Sequence, residues 1–152
     1  LIRLFRREPP LAPHLLLGKR GEAAAARELR RRGLKVLFRN FESPRGGELD
    51  LVCREGDVLV FLEVKTRRRE DMTTPGAAVD PEKQARILAG AREWLRLLGD
   101  PAIFFRFDIV EVLWPDPNSR NPAEIRHLRD SFGFPADRPY QPEPPRPWEA
   151  SG

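Results

Sequence analysis

The sequence predicts a single α/β domain, and three observations carry that reading. A chain of 152 residues is long enough for one hydrophobic core and no more. A run of strong helix formers over 18–32 is followed by three strand-length apolar segments separated by turn signals. A second helical pattern then separates those segments from one further strand-like run, as a sheet with helices packed on it requires.

The elements follow in order. Residues 1–17 are basic, then interrupted by Pro9, Pro10 and Pro13, and read as a loose arm. Gly18 to Arg32 carries Ala23 to Ala26 and Leu29, and Gly33 sits where a helix C-terminal glycine belongs. Leu34, Val36 and Phe38 alternate with Lys35, Leu37 and Arg39, predicting a strand with one buried face. After the Ser43–Gly47 turn, Leu49, Leu51 and Cys53 alternate with Glu48, Asp50 and Val52. The Glu55-Gly56-Asp57 turn leads into Val58–Thr66, apolar on both faces in its first half and therefore central. Asp80 and Pro81 give a helix start, an N-cap acceptor followed by proline at the first helical position. Ile87 or Leu88, Ala91, Trp94 or Leu95, and Leu98 recur at helical spacing before Gly99 closes the helix. Residues 102–114 alternate as a further strand, and Ile125 to Phe132 adds a short strand and a turn. Nine of the sixteen prolines lie in residues 115–152, so the domain spans 18–134 and residues 135–152 read as a disordered tail.

Composition narrows the class. With 40% apolar and 33% charged residues the chain reads as soluble and globular, and no apolar run approaches the ~20 residues needed to cross a bilayer. The N-terminal stretch lacks a continuous apolar core followed by a small-residue cleavage site, so it does not read as a secretory signal. One cysteine, Cys53, excludes an internal disulfide and a cysteine-based metal cage, which favours a cytoplasmic protein. Charge is uneven: residues 1–69 hold 17 Lys/Arg against 9 Asp/Glu, and residues 70–152 hold 10 against 14. Such asymmetry suits a half that faces a polyanion; an arginine-rich solvated surface is the plainer alternative.

Two segments carry the chemistry, Gly47-Glu48-Leu49-Asp50-Leu51 and Phe61-Leu62-Glu63-Val64-Lys65-Thr66. In each, charges interrupt a strand that otherwise reads as buried. Glu63 and Lys65, two apart, leave the same strand face. Asp50 comes from the neighbouring strand if the two pair through the Glu55–Asp57 turn; its register against Glu63 is left open by the sequence. Two carboxylates offer hard oxygen ligands to Mg²⁺ or Mn²⁺, and a nearby lysine can hold or help deprotonate a water. A solvated strand face with an ordinary cross-strand pair is the alternative for an isolated Glu-x-Lys. The upstream Gly-Glu-x-Asp makes the set more specific.

These residues, together with Gly18-Lys19-Arg20-Gly21-Glu22, Arg39-Asn40, Val79-Asp80-Pro81-Glu82-Lys83 and Arg106-Phe107-Asp108, resemble the YraN family of uncharacterised bacterial proteins. That family is assigned to the PD-(D/E)xK nucleases and is similar in core to archaeal Holliday-junction resolvases. The likeness covers about residues 15–134, with His127 to Phe132 a looser match. It implies a restriction-endonuclease-like core, a mixed central sheet flanked by helices. It also implies that Asp50 and Glu63 bind metal, that Lys65 is the catalytic lysine and that Glu22 is an additional catalytic acid. Glu22 would orient Lys65 or assist a metal; plain helix surface charge is its alternative. Leucine, not proline, precedes the acid at Asp50.

Further residues are weaker candidates. Glu48 shares the strand parity of Asp50 and is a possible accessory acid, or a partner for an arginine. Arg67, Arg68 and Arg69 follow the catalytic strand directly and, with Lys83, are candidates for gripping a phosphate backbone. Arg27, Arg30 and Arg31 form a basic helical stripe. Phe104, Phe105, Phe107, Trp94 and Trp114 read as core, Cys53 as a small buried residue, and His14 and His127 as isolated. The expected function is divalent-metal-dependent cleavage of DNA, in branched or repair intermediates, with a homodimer compatible with the resolvase likeness. The alternatives are a non-catalytic nucleic-acid-binding or adaptor module that keeps the fold, and a docking protein whose Pro-rich tail is the working part.

Overall fold

The computed structural model describes residues 10–68, 79–137 and 139–141. Its elements are α1 (Pro13–Arg31), β1 (Lys35–Glu42), β2 (Glu48–Glu55), β3 (Val58–Arg67), α2 (Pro81–Leu97), β4 (Phe104–Leu113) and β5 (Glu124–Phe132). The five strands form one sheet in the order β1-β2-β3-β4-β5. All neighbours are antiparallel except β3 and β4, which run parallel because α2 is the crossover between them. The result is an α/β fold with a mixed sheet, consistent with a restriction-endonuclease-like core.

One helix covers each face. Alternation along β2 to β4 sends Cys53, Leu62 and Val110 to the α1 side and Val52, Phe61 and Phe107 to the α2 side. The α1 layer is closed by Ala24, Ala25, Ala26 and Leu29, with Trp114 buried at its edge. Small residues let α1 lie close: a methyl on Gly21 would overlap the Thr66 side chain. The α2 layer holds Ile87, Ala91, Leu95 and an aromatic group in which Phe61 and Phe107 stack at 5.4 Å. At Gly47 and Gly90 the β1–β2 turn and α2 touch backbone to backbone, with no room for a side chain on either. That contact brings the first turns of α2 over Glu48.

Several expectations need correction. Helix α1 begins at Pro13, inside the expected arm, because proline fits the first helical position and Leu17 is buried in the core. β1 is an edge strand whose alternation is broken by a bulge between Val36 and Phe38, leaving Leu37 and Phe38 both about half exposed. Leu49 and Leu51, expected on one face, belong to opposite layers, so the chain turns over at Asp50. Phe104 is 80% exposed rather than core, and Leu98 lies past the end of α2 in solvent. Tyr140, expected in a disordered tail, packs on Phe105 and Phe134 and hydrogen-bonds Asp100. Arg69 and residues 142–152 lie outside the described residues. Among the described residues no helix is long and apolar enough to cross a membrane.

Candidate active site

The β2–β3 ladder is regular from Glu55↔Val58 to Leu51↔Leu62 and stops there. One step further in the same register, Asp50 stands opposite Glu63. The strands part at this point, and the Asp50 carboxylate takes over a vacated backbone partner: its Oδ2 accepts the Val64 N–H at 2.8 Å. The side chain that breaks the ladder also satisfies the amide the break would orphan. The register left open by the sequence therefore brings the two acids together.

Glu63 is 7% exposed. Burial, then the negative charge of Asp50, pushes its carboxyl up to about 8, against the opposing pull of Lys83; the protonated Glu63 hydrogen-bonds Asp50. The proton on Glu63 is what lets the two acids stand this close. Lys83 supplies part of the missing charge from the first turn of α2, where its own N–H is capped by Asp80 at 2.9 Å. Its Nζ is 3.6 Å from Glu63 Oε1 and hydrogen-bonds Glu48 directly. Burial lowers the affinity of Lys83 for its proton, but the Glu48 hydrogen bond and the charges of Glu63 and Asp50 outweigh it, leaving the pKa raised. Arg86 Nε, also on α2, reaches the same Glu48 oxygen at 3.4 Å. Glu48 is thus joined to the pair through Lys83, and Lys83 is held between two carboxylates rather than presented to solvent.

Lys65 follows Glu63 on the same face of β3. Burial and the positive charge of Arg67 lower its pKa, against the pull of Glu63 and Glu111. Glu111, directly paired with Lys65 across the parallel ladder, is 5% exposed and was missed in the sequence. It carries the same signal as Glu63, an acid interrupting an apolar strand. Arg67 Nε lies 3.9 Å from Glu111, so this arginine turns into the sheet. Arg68 is exposed and lies beside Glu22 and Thr66.

Glu22 reaches the pair from the other face. Burial first, then the charge of Asp50, raises its pKa, while a hydrogen bond with the Asn40 side chain and the charges of Arg39 and Lys19 oppose the rise. Its electrostatic partner in the site is therefore Asp50. Glu22, Asp50 and Glu63 come from α1, β2 and β3, and Lys65 completes the group.

The donor set fits a hard divalent cation: two carboxylates converge, and burial together with the Asp50 charge disfavours a second negative charge on Glu63. Among the described residues no three or more His, Cys, Asp or Glu side chains are gathered closely enough to hold a metal ion together. Cys53 takes no part; burial pushes its thiol up to about 12. His127 is far from isolated: its Nε2 lies 2.7 Å from buried Asp108, which also accepts from part-buried Arg106.

Comparison with known proteins supplies the family. A UPF0102 protein of Rhodococcus opacus is 44% identical over 125 residues, covering 80% of this chain and 100% of the relative. One of Geobacter sulfurreducens is 40% identical over 117 residues, covering 77% and 88%. One of Streptomyces coelicolor is 43% identical over 114 residues, covering 74% and 85%. The model of the uncharacterised protein family UPF0102 matches residues 21–112, a span that contains Glu22, Asp50, Glu63 and Lys65, and the chain belongs to that family.

Proposed function

We propose that the domain is a divalent-metal-dependent nuclease acting on DNA. The observation that carries this reading is the convergence of Asp50 and Glu63 where β2 and β3 part, with Glu63 buried enough to be pushed up to about 8. Such a pair is unfavourable as two free charges, and a bound dication would resolve it. Asp50 and Glu63 would hold Mg²⁺ or Mn²⁺. When bound, the ion would polarise a phosphodiester and lower the pKa of a coordinated water.

The remaining chemistry belongs to the side chains. Lys65, with its affinity for a proton lowered, is suited to hold a water at Nζ and take or return a proton there. The charges of Glu63, on the same strand face, and of Glu111, its partner across the parallel ladder, favour its protonated form. Lys83 and Arg86 hold Glu48 against α2 and fix the acidic side of the site. Arg68 and the basic N-terminal half supply positive charge for a phosphate backbone.

A second reading has one observation in its favour. Lys83 already partners Glu63, so the fold is compatible with a nucleic-acid-binding module that needs no metal. The two readings separate on DNA binding and cleavage by Asp50→Ala. The nuclease reading expects cleavage to disappear with the carboxylate and with a chelator. A binding module expects affinity that neither change alters and no cleavage in wild type.

A further inference from the structure

Within the run Gly18-Lys19-Arg20-Gly21-Glu22, packing accounts for Gly21 and Arg20 but not for Gly18. Gly21 lies against Thr66. Arg20 stacks 4.2 Å from the Trp114 ring and donates to the carbonyls of Pro117 and Ser119, each at 2.8 Å. Gly18 lies inside α1, and a Cβ built there meets nothing within 4 Å. A glycine inside a helix costs about 1 kcal/mol relative to alanine. Nothing in the packing of α1 requires that loss.

Gly18 instead borders a hollow. A space of about 390 Å³ lies between α1 and the end of β3. Buried Leu17 and part-buried Val64 give it apolar wall, Glu22 and Thr66 give it oxygen acceptors, and exposed His14 and Arg68 stand at its solvent side. It adjoins the acid pair: Val64 donates its N–H to Asp50, and Glu22 feels the Asp50 charge.

We propose that this hollow holds one unpaired nucleotide next to the scissile phosphate, so that the substrate is nucleic acid opened at the cut rather than continuous duplex. The proposal rests on the nuclease reading and adds a substrate class to it. The volume lies in the range of small-ligand pockets, roughly 300–1,000 Å³, and a base still stacked in a duplex would have to leave its stack to enter. Apolar Leu17 and Val64 suit a sugar or base face. The oxygens of Glu22 and Thr66 can accept base N–H groups, and the Arg68 guanidinium suits the neighbouring phosphate.

The test is binding of the metal-free full chain to three labelled duplexes by fluorescence anisotropy: fully paired, with one extrahelical nucleotide, and with an abasic residue at that bulge. Wild type is expected to bind the nucleotide bulge about tenfold more tightly than the other two, the effect of seating one base. Gly18→Phe, which fills the hollow from a position open to it, should reduce that ratio to near one while leaving affinity for paired duplex unchanged; Gly18→Ala should keep the preference. Equal binding of all three duplexes by wild type overturns the proposal, as does equal binding of the abasic and nucleotide bulges. Retention of the preference by folded Gly18→Phe overturns it too. If Gly18→Phe does not fold, the abasic comparison in wild type decides. Addition of Mg²⁺ or Mn²⁺ reads the nuclease separately: preference without cleavage rejects the nuclease and keeps the hollow, and cleavage without preference does the reverse.

Discussion

Glu63 carries its proton up to about pH 8 in the metal-free fold, whereas the unfolded chain loses it near 4.5. Folding therefore favours protonation at this site. The stabilising contribution is complete below pH 4.5 and is lost as pH rises through about 8. Thermal unfolding of chelated protein between pH 5 and pH 8 should show a falling Tm, and Glu63→Gln should flatten the slope and raise Tm at pH 8. The expected gain is a few degrees, corresponding to about 1–2 kcal/mol in a domain of this size. An unchanged slope in Glu63→Gln would assign the pH dependence elsewhere. A second buried acid behaves oppositely. Burial pushes Asp108 up, but hydrogen bonds from His127, Arg106 and the Asp130 N–H outweigh it and hold the carboxyl below the usual range. Asp108→Ala leaves the buried His127 ring and part-buried Arg106 without that partner and should cost about 3–5 kcal/mol in urea unfolding. A loss under about 1 kcal/mol would mean that water replaces the carboxylate.

Helix α1 owes its position to a missing side chain. Gly21→Ala forces Thr66 or the helix to move and should destabilise the protein by about 1–3 kcal/mol, with Thr66→Ala restoring part of the loss. Additive effects in that double mutant would show that the two residues do not share one contact. Elements were legible in the sequence where local chemistry and packing agree. The Asp80-Pro81 start of α2, its closure before Gly99, the Glu55–Asp57 hairpin and the central place of β3 all follow from residues that act locally or from continuous burial. Elements misread were those decided by neighbours. β1 looks half-buried by alternation, yet it is an edge with a bulge. The parity of Leu49 and Leu51 fails because the Asp50 carboxylate, a side chain, takes the place of a ladder carbonyl at Val64. The link between His127 and Asp108 spans β4 and β5 and has no signature in either strand alone.

At the scale of the whole molecule, the site is a product of the sheet's order rather than of any one motif. Asp50 and Glu63 are 13 positions apart in the chain and meet because a two-strand hairpin opens one residue past its last pair. Glu22 arrives through the docking of α1, Lys83 through the crossover helix, and Glu111 through the parallel pairing of β4. The four acid and lysine positions singled out from sequence do gather. Glu111 carried a signal as an acid in an apolar strand, but its place beside Lys65, like Arg86 and the clamp of Lys83 between Glu48 and Glu63, depends on α2 and β4 crossing the sheet at particular registers. The measurement that tests the central claim most directly is cleavage of labelled duplex, single-stranded and branched DNA with Mg²⁺ or Mn²⁺ by wild type, Asp50→Ala and Lys65→Ala. The account predicts that wild type cuts at least one of these and that each folded variant loses about a hundredfold or more in rate, the scale of removing a charge-stabilising group. Equal rates in wild type and Asp50→Ala, or a wild type that binds every substrate and cuts none with either ion, would contradict it.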